Sequence, residues 1–189
     1  GAGHAVNNDL ISGRVLGASK DLVAKKRPLH QAPPLTADMV WKLESLMTAP
    51  ISQRFKAILG FLLFCLYSCC RFGDGTRAHE PTLSQFQHII LVETACSEYK
   101  TATGERRAVL LPLVALGSGL SGSGWALSWM AARRASGLSG KTFLMPADAE
   151  NSDHWLDRRM TTAEGSYWLK DLLVLAGLKE PEASGFSTH

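Results

Sequence analysis

The chain has 189 residues, 46% of them hydrophobic, and a formal net charge of +3. That length and hydrophobicity are enough for one full core with an appended piece, and they exclude a chain disordered throughout. The mild positive charge permits a nucleic-acid partner without demanding one, and it is clumped into Lys25-Lys26-Arg27, Arg106-Arg107, Arg133-Arg134 and Arg158-Arg159. Such pairs ordinarily belong to solvated faces.

Residues 1–34 read as the tail of an upstream segment followed by a linker, since Lys25 to Pro34 carries three prolines and three cations. Residues 35–189 read as the domain proper. Thr36 is a natural N-cap for a helix that buries Met39, Val40, Leu43, Leu46 and Met47 at helical spacing. Pro50 and Ser52 punctuate before the central stretch, Ala57 to Asp74. Its fourteen-residue apolar run, Ala57 to Cys70, is too short to cross a bilayer, which takes about 20 residues. It predicts a helix buried on all sides that delivers Arg71 to its own end, with Asp74 as the nearest carboxylate to pair with it.

Phe86 to Thr94 is apolar and β-branched enough for one strand. Ala108 to Val114 supplies a second, and the glycine-containing turn between them makes a hairpin with Lys100 beside it. Trp125 to Ala135 reads as a helix. Thr161 or Thr162 caps another, with Trp168, Leu169, Leu172, Leu173 and Leu175 inward and Gly177 as its stop. The elements add up to an α+β domain, mainly α-helical with a small antiparallel β-sheet.

Two glycine-rich stretches invite a nucleotide reading and fail it. Gly117 to Gly122 satisfies GxGxxG, but no acidic residue occurs between Gly117 and Asp148, so the expectation is a flexible loop. Ala135 to Thr142 falls one glycine short of a phosphate-binding loop, and Pro146 follows too closely for its helix. Of four cysteines, three lie in the apolar stretch, where they act as small hydrophobes; no Cys/His ligand spacing suggests a metal. With no secretory leader, no membrane span and no disulfide framework, a reducing intracellular compartment is expected.

Arg71 with Asp74, Lys100 by a hairpin turn and His189 after a capped helix form an ordered set of phosphate-handling side chains. In this order the segments PLTADMV, CCRFGD, YKTATGERRAVLLPL, KTFLMP and TTAEGSYWLKDLLVLAGL with GFSTH resemble the catalytic domain of tyrosine recombinases, the phage-type integrases, over about Leu35 to His189. The resemblance implies the front part of that catalytic domain. Arg71 would be the first catalytic arginine, Asp74 the acid supporting it, Lys100 the hairpin lysine and His189 the opening of a His-x-x-Arg motif. Lys25, Lys26, Arg27, Arg106 and Arg107 would add DNA contacts. The family breaks and rejoins duplex DNA through a 3′-phosphotyrosyl link, a chemistry that requires no metal, ATP or other cofactor. The implied partner is duplex DNA, on which a homo-oligomer would assemble; no membrane is involved, and the protein would be DNA-associated inside the cell. The segment ending at His189 lacks the second arginine and the nucleophile, and Tyr67, Tyr99 and Tyr167 all precede the histidine position. Two other readings stand beside this one: a non-catalytic DNA-binding or regulatory remnant of a mobile element, and a helical protein-interaction scaffold.

Overall fold

The computed structural model describes residues 32–99, 109–149 and 154–188; Lys25, Lys26, Arg27, Lys100, Arg106, Arg107, His189 and the expected hairpin turn lie outside the described residues. Six helices and two small antiparallel sheets occur among the described residues, an α+β arrangement.

Helix α1 spans Ala37–Leu46, and Thr36 caps it by accepting the Met39 amide at 3.3 Å. Helix α2 spans Gln53–Tyr67, with Ser52 accepting the Phe55 amide at 3.2 Å. Every residue from Ala57 to Phe64 is buried, so α2 is enclosed on all sides over two turns and forms the centre of the core. Each large apolar side chain buried there contributes roughly 1.5–3 kcal/mol. The closest packing is against α4, Trp125–Ala135. Gly60 leaves the space in which Trp129 lies, since a Cβ at position 60 would sit 2.1 Å from Trp129 Cδ1. Trp129 stacks on Phe64 with centroids 5.6 Å apart and donates its indole N–H to the Ala57 carbonyl at 2.9 Å. Tyr67 stacks on Trp125 in the same way.

The central helix stops earlier than its apolar run predicts. Cys69 takes a left-handed conformation (φ +51°), Cys69 N donates to Leu66 O and Cys70 N to Cys65 O, both at 3.2 Å. These two bonds close a Schellman turn with cysteine where glycine is usual, which is why no stop signal was visible. Arg71 therefore does not stand on the end of α2. It precedes a separate short helix, α3 (Phe72–Thr76), and its carbonyl accepts the Asp74 and Gly75 amides at 3.0 and 2.9 Å.

The larger sheet has order β1-β2-β3, with β1 Thr82–Phe86, β2 Ile89–Cys96 and β3 Leu111–Leu116. The single strand expected over Phe86 to Thr94 is in fact two, broken at Gln87, whose φ of +56° closes a tight hairpin. The turn is concealed because Gln87-His88 lacks the Asn-Gly signature of such turns. The pairing of β2 with β3 is as expected, running from Leu91 opposite Leu116 to Cys96 opposite Leu111. Edge strand β3 accommodates Pro112, which cannot donate to a ladder. A second sheet, β4 (Pro146–Asp148) with β5 (Trp155–Arg159), has no counterpart in the sequence reading.

Helix α5, Thr162–Leu175, begins on a capping box between Thr161 and Glu164 and ends at Gly177, φ +95°. Leu169, Leu172 and Leu173 are buried, Trp168 is half-buried against Phe55, and Leu175, expected inward, is exposed. Helix α6 is the short Glu180–Ala183. Arg133 is another departure. Rather than a solvated cation it is 0% exposed, ion-paired with Glu80 at 2.8 Å and donating to the carbonyls of Leu144 and Leu138. It ties α4 to the chain before both sheets.

Candidate anion-binding site

Helix α3 presents Arg71, Asp74 and Arg77 to a cavity of about 750 Å³, which Cys69, Cys70, Thr162 and Thr188 also line. Three parts of the chain far apart in sequence hold it. Phe72 plugs α3 into the core edge-on to Phe61, and Gly165 lets α5 lie flat on it: a Cβ there would be 2.2 Å from Phe72 Cζ. The first turn of α5 then clamps residue 188. Thr188 N donates to Ser166 Oγ at 3.0 Å and its hydroxyl to the Thr162 carbonyl at 3.0 Å. The end of β2 joins from the third side, where Arg77 Nη1 donates to the Glu98 carbonyl at 3.3 Å.

Arg71 is exposed at the cavity mouth and Asp74 is 6% exposed at its wall. The expected Arg71–Asp74 ion pair is not formed; among the described residues no hydrogen bond or ion pair reaches the Asp74 carboxylate. Arg77 is half-buried, with Nε lacking a hydrogen-bond partner among the described residues. Two guanidinium groups against one carboxylate leave the cavity positive. A guanidinium offers paired N–H donors that match two oxygens of a phosphate, so the geometry suits an oxyanion presented from solvent. Neither a family model, nor a curated protein, nor a solved structure matches the chain. The site is therefore read from its own chemistry.

Of the residues expected at the site, the structure brings Arg71 and Asp74 to one cavity; Lys100 and His189 lie outside the described residues. Thr188 and Tyr99, their neighbours in sequence, are described. Thr188 lines the cavity and Tyr99 follows the strand end that Arg77 holds. The sequence reading missed Arg77. Its signal was its spacing of three from Asp74, which places both on one helical face.

The GxGxxG loop is a second constellation, and it is not free. Glu44, 0% exposed on α1, occupies the cradle such a loop makes. It accepts the amides of Leu120 and Ser121, each at 2.9 Å, together with the hydroxyls of Ser121 and Tyr67. Burial by itself would push this carboxyl up; the hydrogen bonds from Ser121, Tyr67 and the backbone hold it below its ordinary value. Tyr67, buried and donating to Glu44, is pushed up to about 12. A Cβ at Gly119 would lie 2.2 Å from the Glu44 carboxylate, so the loop closes on its own chain's acid rather than on a ligand. Among the described residues there is no metal-ligand cluster, and no helix is long and apolar enough to cross a membrane.

Proposed function

We propose that this domain binds duplex DNA by gripping a backbone phosphate in the cavity of Arg71, Asp74 and Arg77, as the front part of a tyrosine-recombinase-type catalytic domain. The observation that supports the reading most is convergence. Segments around positions 71–77 and 188, which follow one another in that family's order, line one cavity, and Arg77 on that cavity holds the Glu98 carbonyl between them in sequence. Arg71 meets two nonbridging oxygens of the phosphate and Arg77 adds a second cation, while Asp74 stands at the cavity wall, unpaired among the described residues. By resemblance, Lys100 would be the proton donor to the leaving 5′-oxygen in a complete enzyme of that family, and His189 the histidine that opens its His-x-x-Arg motif. Lys25, Lys26, Arg27, Arg106 and Arg107 would add further contacts to the DNA. The three tyrosines do not match the position of the family's nucleophile. Tyr67 in particular is committed to Glu44 and Trp125. This stretch of chain therefore binds DNA without forming a covalent adduct.

Titration of a fluorescent duplex at several salt concentrations tests this. Wild type should bind with affinity that falls steeply with salt. Arg71→Ala and Arg77→Ala should each weaken it and flatten the log–log salt slope by about 1, while exposed Arg134→Ala changes it little. Binding that is absent at low salt, or unaltered by Arg71→Ala, would refute the proposal and favour a protein-interaction scaffold.

A further inference from the structure

Two of the cysteines at the end of α2 meet. The left-handed turn at Cys69 lets Cys70 N donate to Cys65 O at 3.2 Å, which sets positions 65 and 70 on one side of the backbone. In turns of this kind these two positions ordinarily share an apolar contact. Here both positions are cysteine. Both sulfurs also converge on Gly75, where a Cβ would lie 2.9 Å from Cys65 Sγ and 3.3 Å from Cys70 Sγ. The other two cysteines differ from this pair, since Cys69 is exposed and Cys96 is buried.

The pair is chemically unequal and it is reachable. The neighbouring Cys65 thiol holds the Cys70 thiol below its ordinary range, against the opposing effects of burial and the Asp74 charge. Burial first, and then the Cys70 thiol beside it, pushes Cys65 well up. Cys70 is thus the better thiolate and Cys65 the reserve thiol beside it. Cys70 lines the positive cavity, and both sulfurs line an adjoining apolar cavity of about 380 Å³, wide enough for a hydroperoxide.

We propose that Cys70 and Cys65 are a peroxide-sensing pair that forms a reversible disulfide across the turn leading into Arg71. The Cys70 thiolate attacks one oxygen of hydrogen peroxide. The O–O bond breaks, the second oxygen leaves as hydroxide and is protonated to water, and Cys70 becomes a sulfenic acid. Cys65 then attacks that sulfur while losing its proton. The S–O bond breaks, the departing hydroxide takes the proton to give a second water, and the S–S bond is formed. The two sulfurs together give up two electrons, which reduce one peroxide. The link fixes the backbone from which α3 starts, so the redox state of the pair is coupled to the setting of Arg71. A dithiol reductant returns the pair to thiols by exchange, its own two thiols becoming a disulfide as the Cys65–Cys70 bond breaks. None of this depends on DNA being the ligand.

The test uses the whole chain, reduced, exposed to hydrogen peroxide, alkylated and cleaved by chymotrypsin after Tyr67, which separates Cys65 from Cys69 and Cys70. The expected product is a Cys65-containing piece joined to a Cys70-containing piece, released by dithiothreitol and still formed in Cys69→Ser. Cys70 should lose alkylation at least about tenfold faster than Cys96. In Cys65→Ala, dimedone should label Cys70 as the stranded sulfenic acid. A link that persists in Cys70→Ser, or a wild-type Cys70 oxidised no faster than Cys96, would overturn the proposal.

Discussion

Glu44 shows how a buried charge is kept. Its carboxylate leaves water entirely, yet two amides and two hydroxyls replace the lost hydration. Glu44→Gln would present an N–H₂ group to donors already aimed at an acceptor, and it should cost about 3 kcal/mol in urea unfolding at neutral pH. Because the folded carboxyl lies below its unfolded value, this stabilisation is complete above the ordinary carboxylate range and is lost as pH falls through the lower folded value. The difference between wild type and variant should therefore shrink in acid; a constant difference would mean that Glu44 acts by shape alone. Cys69 makes the opposite case, a residue that costs stability. At φ +51° its Cβ crowds the backbone, so Cys69→Gly should raise stability by about 0.5–1 kcal/mol after the entropy of the added glycine is subtracted. A lower urea midpoint for Cys69→Gly would show that its side chain contributes packing that outweighs the strain.

Among the elements, α5 has the most explicit start. The Thr161 hydroxyl accepts the Glu164 amide at 3.2 Å, while Glu164 reaches back to Thr161 N at 2.8 Å and forms a two-pronged pair with Arg158. The Arg158 guanidinium, followed by the Thr161 donors, holds the Glu164 carboxyl down at about 2. Glu164→Gln preserves the box but not the charge. The variant should melt below wild type above pH 4.5, and the gap should close as pH falls toward 2, since a depressed carboxylate stabilises only while ionised. Equal melting curves at neutral pH would show that the pair is screened to nothing. Helix ends such as this were legible because their signals are local: Thr36, Ser52, Thr161 and Gly177 each act within one turn. The turns at Cys69 and Gln87 were not, because tertiary packing imposes left-handed backbone on residues that do not advertise it. Sheet β4–β5 was hidden for a related reason. Its strands are short, and the Arg54–Asp148 pair and the Trp155 bond to Ser136 that anchor it come from other elements.

Among the described residues, the other helices and the sheets pack around α2, and the candidate site lies beside α3. That Arg71 and Asp74 line one cavity was legible from their spacing, although the ion pair expected between them is not formed. Thr162 and Thr188 were not, since only the packing of α5 on Phe72 brings them in, whereas Arg77 carried a local signal in its spacing from Asp74. The centre of the core is equally non-local, because Gly60 is explained only by Trp129, sixty-nine positions later. Gly60→Ala should overpack the α2–α4 contact and cost about 1–3 kcal/mol, and Trp129→Phe should vacate space and lose the bond to Ala57. Made together, the two changes should cost less than the sum of their separate effects, by 0.5 kcal/mol or more in the order of magnitude typical of touching residues; strict additivity would show that the backbone had already yielded. That coupling makes the order of two changes matter: a methyl at position 60 meets the Trp129 ring while the indole is present, and finds room once it has been replaced by a smaller side chain.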